Sequence, residues 1–310
     1  MVKNKYKIAY SIIASILSLS AVLSCNIAYG SEHDGFASTR SIFGNDDRRE
    51  VSYNEIQNDN WAKRTVLIKK QSWNPDEGKY AASVCTGTMV SLNTVLTAGH
   101  CITNRKKING KPENETEENL SKDYYVVPGG YMNSDGDIVE PYGSYSVDMN
   151  SVYTDSSWLS YANPNQDWGI LKLTENIPDE IGYYDVLSSN RDDISGMPIR
   201  LSGYPSDKSN ERFNIGMWTS TGNTLNTSYI DNWNSLMNEN GLYEFNYSNI
   251  VPFDADMMEG ESGGSIIANP SGKEGIIAIN SMEYSDGNSE YPNIAVRITP
   301  SLKSIINTLK

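Results

Sequence analysis

The chain has 310 residues, and 39 acidic against 25 basic side chains leave a formal net charge of −14. With 38% hydrophobic residues, a mean hydropathy of −0.50 and a sequence pI near 4.6, it is an ordinary folding chain, neither collagen-like nor disordered nor polytopic in a membrane. A polyanion of this kind repels phosphate and lacks the basic stripe that nucleic-acid binding requires, and three cysteines are too few for a disulfide scaffold.

Lys3, Lys5 and Lys7 precede an uncharged stretch from Ile8 to Leu23, and Ala28-Tyr29-Gly30 supplies small residues around a cut. This is the pattern of a secretory signal peptide over residues 1–30, so the mature protein is expected outside the cell with no membrane attachment. An uncleaved anchor, or lipid attachment at Cys25 after Val22-Leu23-Ser24, is the weaker match. Removal of Cys25 leaves Cys85 and Cys101, for which an oxidising compartment predicts a disulfide. A crosslink closing a loop of that size adds about 3 kcal/mol in the chain-entropy account.

Residues 31–60 are polar with little periodicity, and read as a pro-segment and an N-terminal arm. Short runs rich in β-branched and aromatic residues then alternate with turn residues, which is strand chemistry. A first set falls at 65–68, 86–90, 94–97, 124–127 and 168–173. A second falls at 198–202, 216–220, 243–247, 265–268, 275–279 and 294–298. Residues 103–122 carry almost no apolar side chains and read as a solvated loop. Leu302, Ile305, Ile306 and Leu309 after Pro300 fall at helical spacing, so the expectation is an all-β chain with one terminal helix.

His33 lies in the pro-segment, which leaves His100 as the imidazole of the mature chain. It sits in Thr97-Ala98-Gly99-His100-Cys101, directly after a short apolar run and beside a crosslinked cysteine. Gly260-Glu261-Ser262-Gly263-Gly264 surrounds a serine with glycines. Such a turn can aim the N–H groups of Gly260 and Ser262 at one oxyanion. Asp167 opens the apolar run Trp168–Leu173, where a carboxylate can be buried against an imidazole N–H and hold its tautomer. A lone histidine, a glycine-rich turn and a turn aspartate are each common. Together they stand in the order His, Asp, Ser, one of the known chain orders of serine hydrolases.

These motifs resemble the trypsin-like serine endopeptidases, and among them the bacterial glutamyl endopeptidases. The resemblance runs from about residue 41 to the end. It is carried by Ser41-Ile-Phe-Gly-Asn-Asp-Asp-Arg48, Cys85-Thr-Gly-Thr-Met89, Thr97–Cys101, Asp167-Trp-Gly-Ile-Leu-Lys172, Gly203-Tyr-Pro-Ser-Asp-Lys208 with Gly216-Met-Trp218, and Gly260–Gly264. It implies two antiparallel six-stranded β-barrels with the site in the cleft between them. Residues 41–180 would hold the arm and first barrel, and 181–310 the second barrel and terminal helix. It also implies processing after Arg40, a monomer, polypeptide substrates, and no metal or organic cofactor. In the implied chemistry Ser262 is the nucleophile, His100 the base, and Asp167 its orienting acid. The alternative is a protease-like surface protein that binds without catalysis; such relatives usually lack a triad member, whereas all three stand here.

The pocket departs from the family pattern. Asn280 stands where glutamyl endopeptidases place a histidine, and Met257 where they place Thr or Ser. Both changes weaken binding of an anionic P1 side chain, because charge-assisted bonds are roughly twice as strong as neutral ones. Asp256, six residues before Ser262, and Glu283, just past Asn280, add acids that repel glutamate. No cysteine stands at Ser206 or Glu259, where some relatives carry a second disulfide. Glu261 is expected to pair with a new N-terminal amine, as an acid there does in trypsin-type enzymes.

Overall fold

A computed structural model describes residues 42–74, 79–102, 107–108, 111–112, 123–161, 163–189, 194–212, 214–239, 244–282 and 291–310. The expected signal peptide and pro-segment, Ser41, Glu283 and most of the stretch 103–122 lie outside those residues.

The arm contains regular structure that its polar sequence hides: strand β1 (Arg49–Glu50) and helices α1 (Tyr53–Asn58) and α2 (Asn60–Arg64). Ser52 caps α1 reciprocally. Its hydroxyl accepts the Glu55 N–H at 3.3 Å, and the Glu55 carboxylate accepts the Ser52 N–H at 3.0 Å. Helices this short are not stable alone. Burial of Ile56 and Ala62 against Leu67, Val127, Tyr204 and Met217 holds them.

Strands β2 (Thr65–Asn74), β3 (Lys79–Ser91), β4 (Thr94–Thr97), β5 (Asp123–Pro128), β6 (Tyr145–Thr154) and β7 (Gly169–Leu173) form a closed antiparallel barrel in the order β6-β7-β4-β3-β2-β5. Val66 and Ile68 alternate into its core with Met89, Leu96, Val126 and Ile170. Leu67, on the opposite face of β2, is covered by the arm, so this strand is apolar on both sides. Helix α3 (Gly99–Ile102) follows β4, and α4 (Ser156–Tyr161) follows β6.

The second half is a seven-stranded sheet in the order β1-β9-β8-β11-β12-β13-β10. Its members are β8 (Pro198–Gly203), β9 (Trp218–Asn223), β10 (Ile250–Phe253), β11 (Ser265–Ala268), β12 (Gly275–Met282) and β13 (Asn293–Arg297), with β1 contributed by the arm. It curls round until Thr224, next after β9, bridges Phe253 of β10, and the Leu225 N–H reaches the Pro252 carbonyl at 2.8 Å. The expected second six-stranded barrel is therefore closed by one bridge and extended by a strand from the arm. Helix α6 (Pro300–Leu309) forms at the predicted place. The Thr299 hydroxyl caps the Leu302 N–H at 3.1 Å, and Leu302 and Ile306 are buried.

Beyond the arm and the short helices α3 and α4, three elements differ from the sequence expectation. Strand β6 is absent from it, because Asp148 and Asn150 interrupt the alternation where the strand bulges between Val147 and Val152. Helix α5 (Tyr229–Glu239) is also absent. Its buried Ile230, Trp233 and Met237 are spaced helically among Asn, Asp and Ser. The strand expected at 243–247 is instead irregular chain at Glu244–Asn246. Asn234 of α5 takes the Phe245 N–H at 2.6 Å and donates to its carbonyl at 3.0 Å, while Phe245 packs edge-on against Trp233. Those bonds occupy backbone groups that a ladder would need.

Candidate active site

His100 leaves β4 through Gly99 in the first turn of α3, and Asp167 stands directly before Trp168 and β7. The pairing Gly169↔Thr97 brings the two segments side by side. Asp167 is 2% exposed; Oδ1 accepts the His100 backbone N–H at 2.8 Å, and Oδ2 lies 2.7 Å from His100 Nδ1. With a carboxylate at Nδ1 that nitrogen carries the proton, which leaves Nε2 as the acceptor. Nε2 is buried and has no hydrogen-bond partner among the described residues. Gly99 has no room for a side chain, since a Cβ would come within 2.9 Å of Trp158 and 3.0 Å of Asp167 Oδ1. Trp158 of α4 walls the imidazole at 6.4 Å between ring centres. The sequence reading omitted Ser281, whose hydroxyl donates to Asp167 Oδ2 at 2.6 Å from β12 of the other half. Its position directly after Asn280 was the available signal.

The Ser262 backbone packs from the second sheet beside Cys101, the residue after His100, while no hydrogen bond joins the Ser262 hydroxyl to His100 among the described residues. Its carbonyl accepts the Thr86 N–H at 2.9 Å, and Cys101 Sγ lies 3.4 Å from that oxygen. The sulfur has no proton to donate there, because Cys85 and Cys101 form the expected disulfide. Gly263 has φ +83, and a Cβ on it would strike Thr97 and Thr86 and come within 2.8 Å of Ala98 N. The turn is thus seated on the end of β4, directly before His100.

Gly260 has φ +94, and any side chain would strike the Tyr204 carbonyl, so only glycine fits. Within the turn the N–H groups of Glu261, Gly263 and Gly264 bond to Met258, Asn280 and Glu261 carbonyls at 3.0, 2.8 and 3.0 Å. The N–H groups of Gly260 and Ser262 have no partner among the described residues. A hydroxyl, an imidazole held by a carboxylate and two open N–H donors are the parts that acyl transfer uses.

The candidate pocket residues are deeply buried: Asp256 is 3% exposed, Met257 1% and Asn280 0%. The Asp256 carboxylate is engaged by the arm, accepting the N–H groups of Phe43 at 2.8 Å and Asp47 at 3.0 Å. The Asn280 side-chain amide donates to the Glu261 carbonyl at 3.0 Å. Ser206 N–H bonds the Glu259 carbonyl at 2.7 Å, which places together the two positions where some relatives carry a second disulfide. Burial pushes the Glu259 carboxyl above its usual range.

Glu261 faces the arm. Its fully buried carboxylate lies 3.6 Å from the Arg48 guanidinium, and its Oε2 also accepts the Met258 N–H at 2.8 Å. Among the described residues the cation beside it is the Arg48 side chain, and Ser41, the expected new terminus, lies outside them. Among the described residues, the metal-type grouping Cys85, His100 and Cys101 has both of its sulfurs in the disulfide, so neither is a thiolate ligand.

A family model for trypsin matches residues 65–306. The glutamyl endopeptidase of Bacillus licheniformis is 29% identical over 171 residues, 55% of this chain and 44% of that protein. The extracellular metalloprotease of Bacillus subtilis is 29% identical over 124 residues, 40% of this chain and 34% of its own length. The chain therefore matches under half the length of either relative. Among solved structures, a Glu endopeptidase superposes with a TM-score of 0.60 at 21% identity, covering 86% of this chain and 98% of that one. The protease Anisep from Arthrobacter nicotinovorans superposes at 0.53 with 19% identity, covering 80% and 95%. At those identities the likeness is one of fold. The family match extends over most of the sequence, and the chain belongs to the trypsin family.

Proposed function

We propose that the protein is a secreted serine endopeptidase, processed after Arg40 and acting as a monomer on polypeptides. Ser262 attacks the peptide carbonyl while His100 Nε2 takes its proton, and Asp167 stabilises the imidazolium. The N–H groups of Gly260 and Ser262 receive the oxyanion. His100 then returns the proton to the leaving amine, and a water activated by the same nitrogen hydrolyses the acyl-enzyme. The observation that carries this reading is the 2.7 Å contact between His100 Nδ1 and Asp167 Oδ2 in a site where Nε2 is left open. The leader pattern of residues 1–30 and the Cys85–Cys101 disulfide support export.

At P1 the pocket favours glutamate only weakly. Asn280 has already committed an amide hydrogen to the Glu261 carbonyl, and Met257 offers a carboxylate nothing. The Asp256 carboxylate oxygens are taken up by the N–H groups of Phe43 and Asp47. A fluorophosphonate probe should label the mature protein, and Ser262→Ala should lose the label. An unlabelled mature protein overturns the assignment. Cleavage of casein rather than a small ester alone separates peptidase from esterase, and the residue before each cut in a peptide library reads P1 directly.

A further inference from the structure

The geometry points to Thr86 as a positioning residue for the oxyanion turn: a hydroxyl of the first barrel that fixes the backbone on which the Gly260 donor stands. This rests on the reading of Ser262 as nucleophile. Thr86 lies on β3 directly after Cys85 and is 0% exposed. The β3–β4 pairing runs from Thr88↔Leu96 to Ser91↔Thr94, and Thr86, beyond its end, turns to the other half of the molecule. Its N–H donates to the Ser262 carbonyl at 2.9 Å. Its hydroxyl donates to the Gly260 carbonyl at 2.8 Å and accepts the Tyr204 N–H at 3.1 Å. Its carbonyl accepts the Thr97 hydroxyl at 2.7 Å, at the end of the strand that leads to His100. A hydroxyl can donate and accept at once, and threonine places one on a β-branched side chain suited to a strand.

Gly260 is buried and has no side chain to hold it, so its backbone at φ +94 is fixed by what its neighbouring peptides bond to. On the N-terminal side, the Ser206 N–H holds the Glu259 carbonyl at 2.7 Å. That peptide is planar and trans, so the bond aims the Gly260 N–H the opposite way. On the C-terminal side, the Thr86 hydroxyl holds the Gly260 carbonyl. The same oxygen takes the N–H of Tyr204, in the segment that carries Ser206, and so ties both flanks of Gly260 to β3. The fit has no slack: a Cβ on Gly203 would come within 2.7 Å of Thr86 Oγ1, and one on Gly263 would strike the Thr86 carbonyl. Without the hydroxyl, a buried carbonyl and a buried N–H lose their partners, and the chain must shift to satisfy them. The Thr86 N–H would still hold the Ser262 carbonyl, so the nucleophile stays while the Gly260 donor drifts.

The test compares the mature wild type with Thr86→Val, which keeps the shape and removes the hydroxyl, and Thr86→Ser, which keeps the hydroxyl. Sites are counted by fluorophosphonate labelling carried to completion, and folding is checked by melting curves. Thr86→Val should lower kcat on a peptide substrate by about 30-fold while KM moves less than about threefold, the split expected when an oxyanion donor is misplaced and substrate contacts remain. A peptide aldehyde of the same sequence, whose tetrahedral adduct with Ser262 uses the same donors, should lose affinity by a similar factor. Thr86→Ser should stay within about threefold of wild type in both measurements. A kcat loss under about tenfold in Thr86→Val, or no recovery in Thr86→Ser, overturns the inference. If Thr86→Val does not fold, Thr86→Ala takes its place under the same criteria, because the space it opens admits a water that pairs both groups without tying them to β3. A wild type that neither takes the label nor cleaves peptide overturns the hydrolase reading and this inference with it. An active wild type beside an equally active Thr86→Val overturns this inference alone.

Discussion

The six strands of the first barrel close on themselves, and both members of the His100–Asp167 pair hang from adjacent strands of that ring. The second half closes through a single bridge, borrows β1 from the arm, and carries its Gly260–Gly264 turn against an arginine more than two hundred positions earlier in the chain. The acid–base pair is therefore a local product of one barrel, with the Ser281 hydroxyl reaching Asp167 from the other half. The oxyanion turn is a product of long-range assembly. Damage to the arm should reach the turn and spare the pair.

Asp167→Asn is the largest way to break the first half. It leaves the shape but reverses the hydrogen-bonding sense at Nδ1, so kcat should fall by about 10⁴-fold with the fold intact. Active-site titration with kcat on a peptide substrate checks it; a loss under about tenfold would mean that the carboxylate does not set the tautomer. Next comes Gly260→Ala in the second half. Its Cβ must strike the Tyr204 carbonyl from a backbone at φ +94, which displaces one of the two open N–H donors. A loss of about 10²–10³ in kcat is expected, the magnitude of one oxyanion donor. Survival of full activity would place the donors elsewhere.

The same division explains what could be read from the residues alone. Five of the six first-barrel strands, the disulfide and the terminal helix were legible because alternation, cysteine pairing and the Pro300 start are local signals. Strand β6 escaped because its bulge breaks the period, and α5 because its three buried residues are scattered among helix-indifferent polar ones. The arm's role was the least legible. Arg48 is one of several charges in a polar run, and nothing in that run announces Asp207 or Glu261 as partners. The acid before the nucleophile was visible, but its cation is set by tertiary contact.

The crosslink offers a smaller test of the closed barrel. Cys85 lies on β3 and Cys101 in α3, beside the Ser262 carbonyl. The paired change Cys85→Ala/Cys101→Ala should cost about 3 kcal/mol in denaturant unfolding, because the closed loop of 16 residues no longer restricts the unfolded chain. Activity per labelled site should change much less, since β4 and β7 still hold His100 against Asp167. A kcat loss as large as that of Gly260→Ala would show that the crosslink, not the strands, sets the site.

The smallest effect is the acid response of the arm. Hydrogen bonds from Arg48 hold the Asp46 carboxyl well below the usual carboxylate range, with partial burial opposing them. A depressed folded-state pKa contributes stability that is complete above the unfolded value of about 3.9 and drains away as the pH falls toward the folded value. In that window the unfolded chain binds the extra proton, so stability rises with pH. Asp47 has the opposite sign. Burial, then the Asp256 carboxylate, push its carboxyl up, so its proton is bound more tightly in the folded arm and its share of stability falls as the pH rises through the usual carboxylate range. Asp46→Asn should therefore flatten the acid limb of the stability curve below about pH 4. Asp47→Asn should leave that limb intact and raise stability near neutral pH. Melting curves between about pH 2 and pH 7 read both slopes. An acid limb equally steep in Asp46→Asn would mean that the Arg48 clasp is not what acid releases.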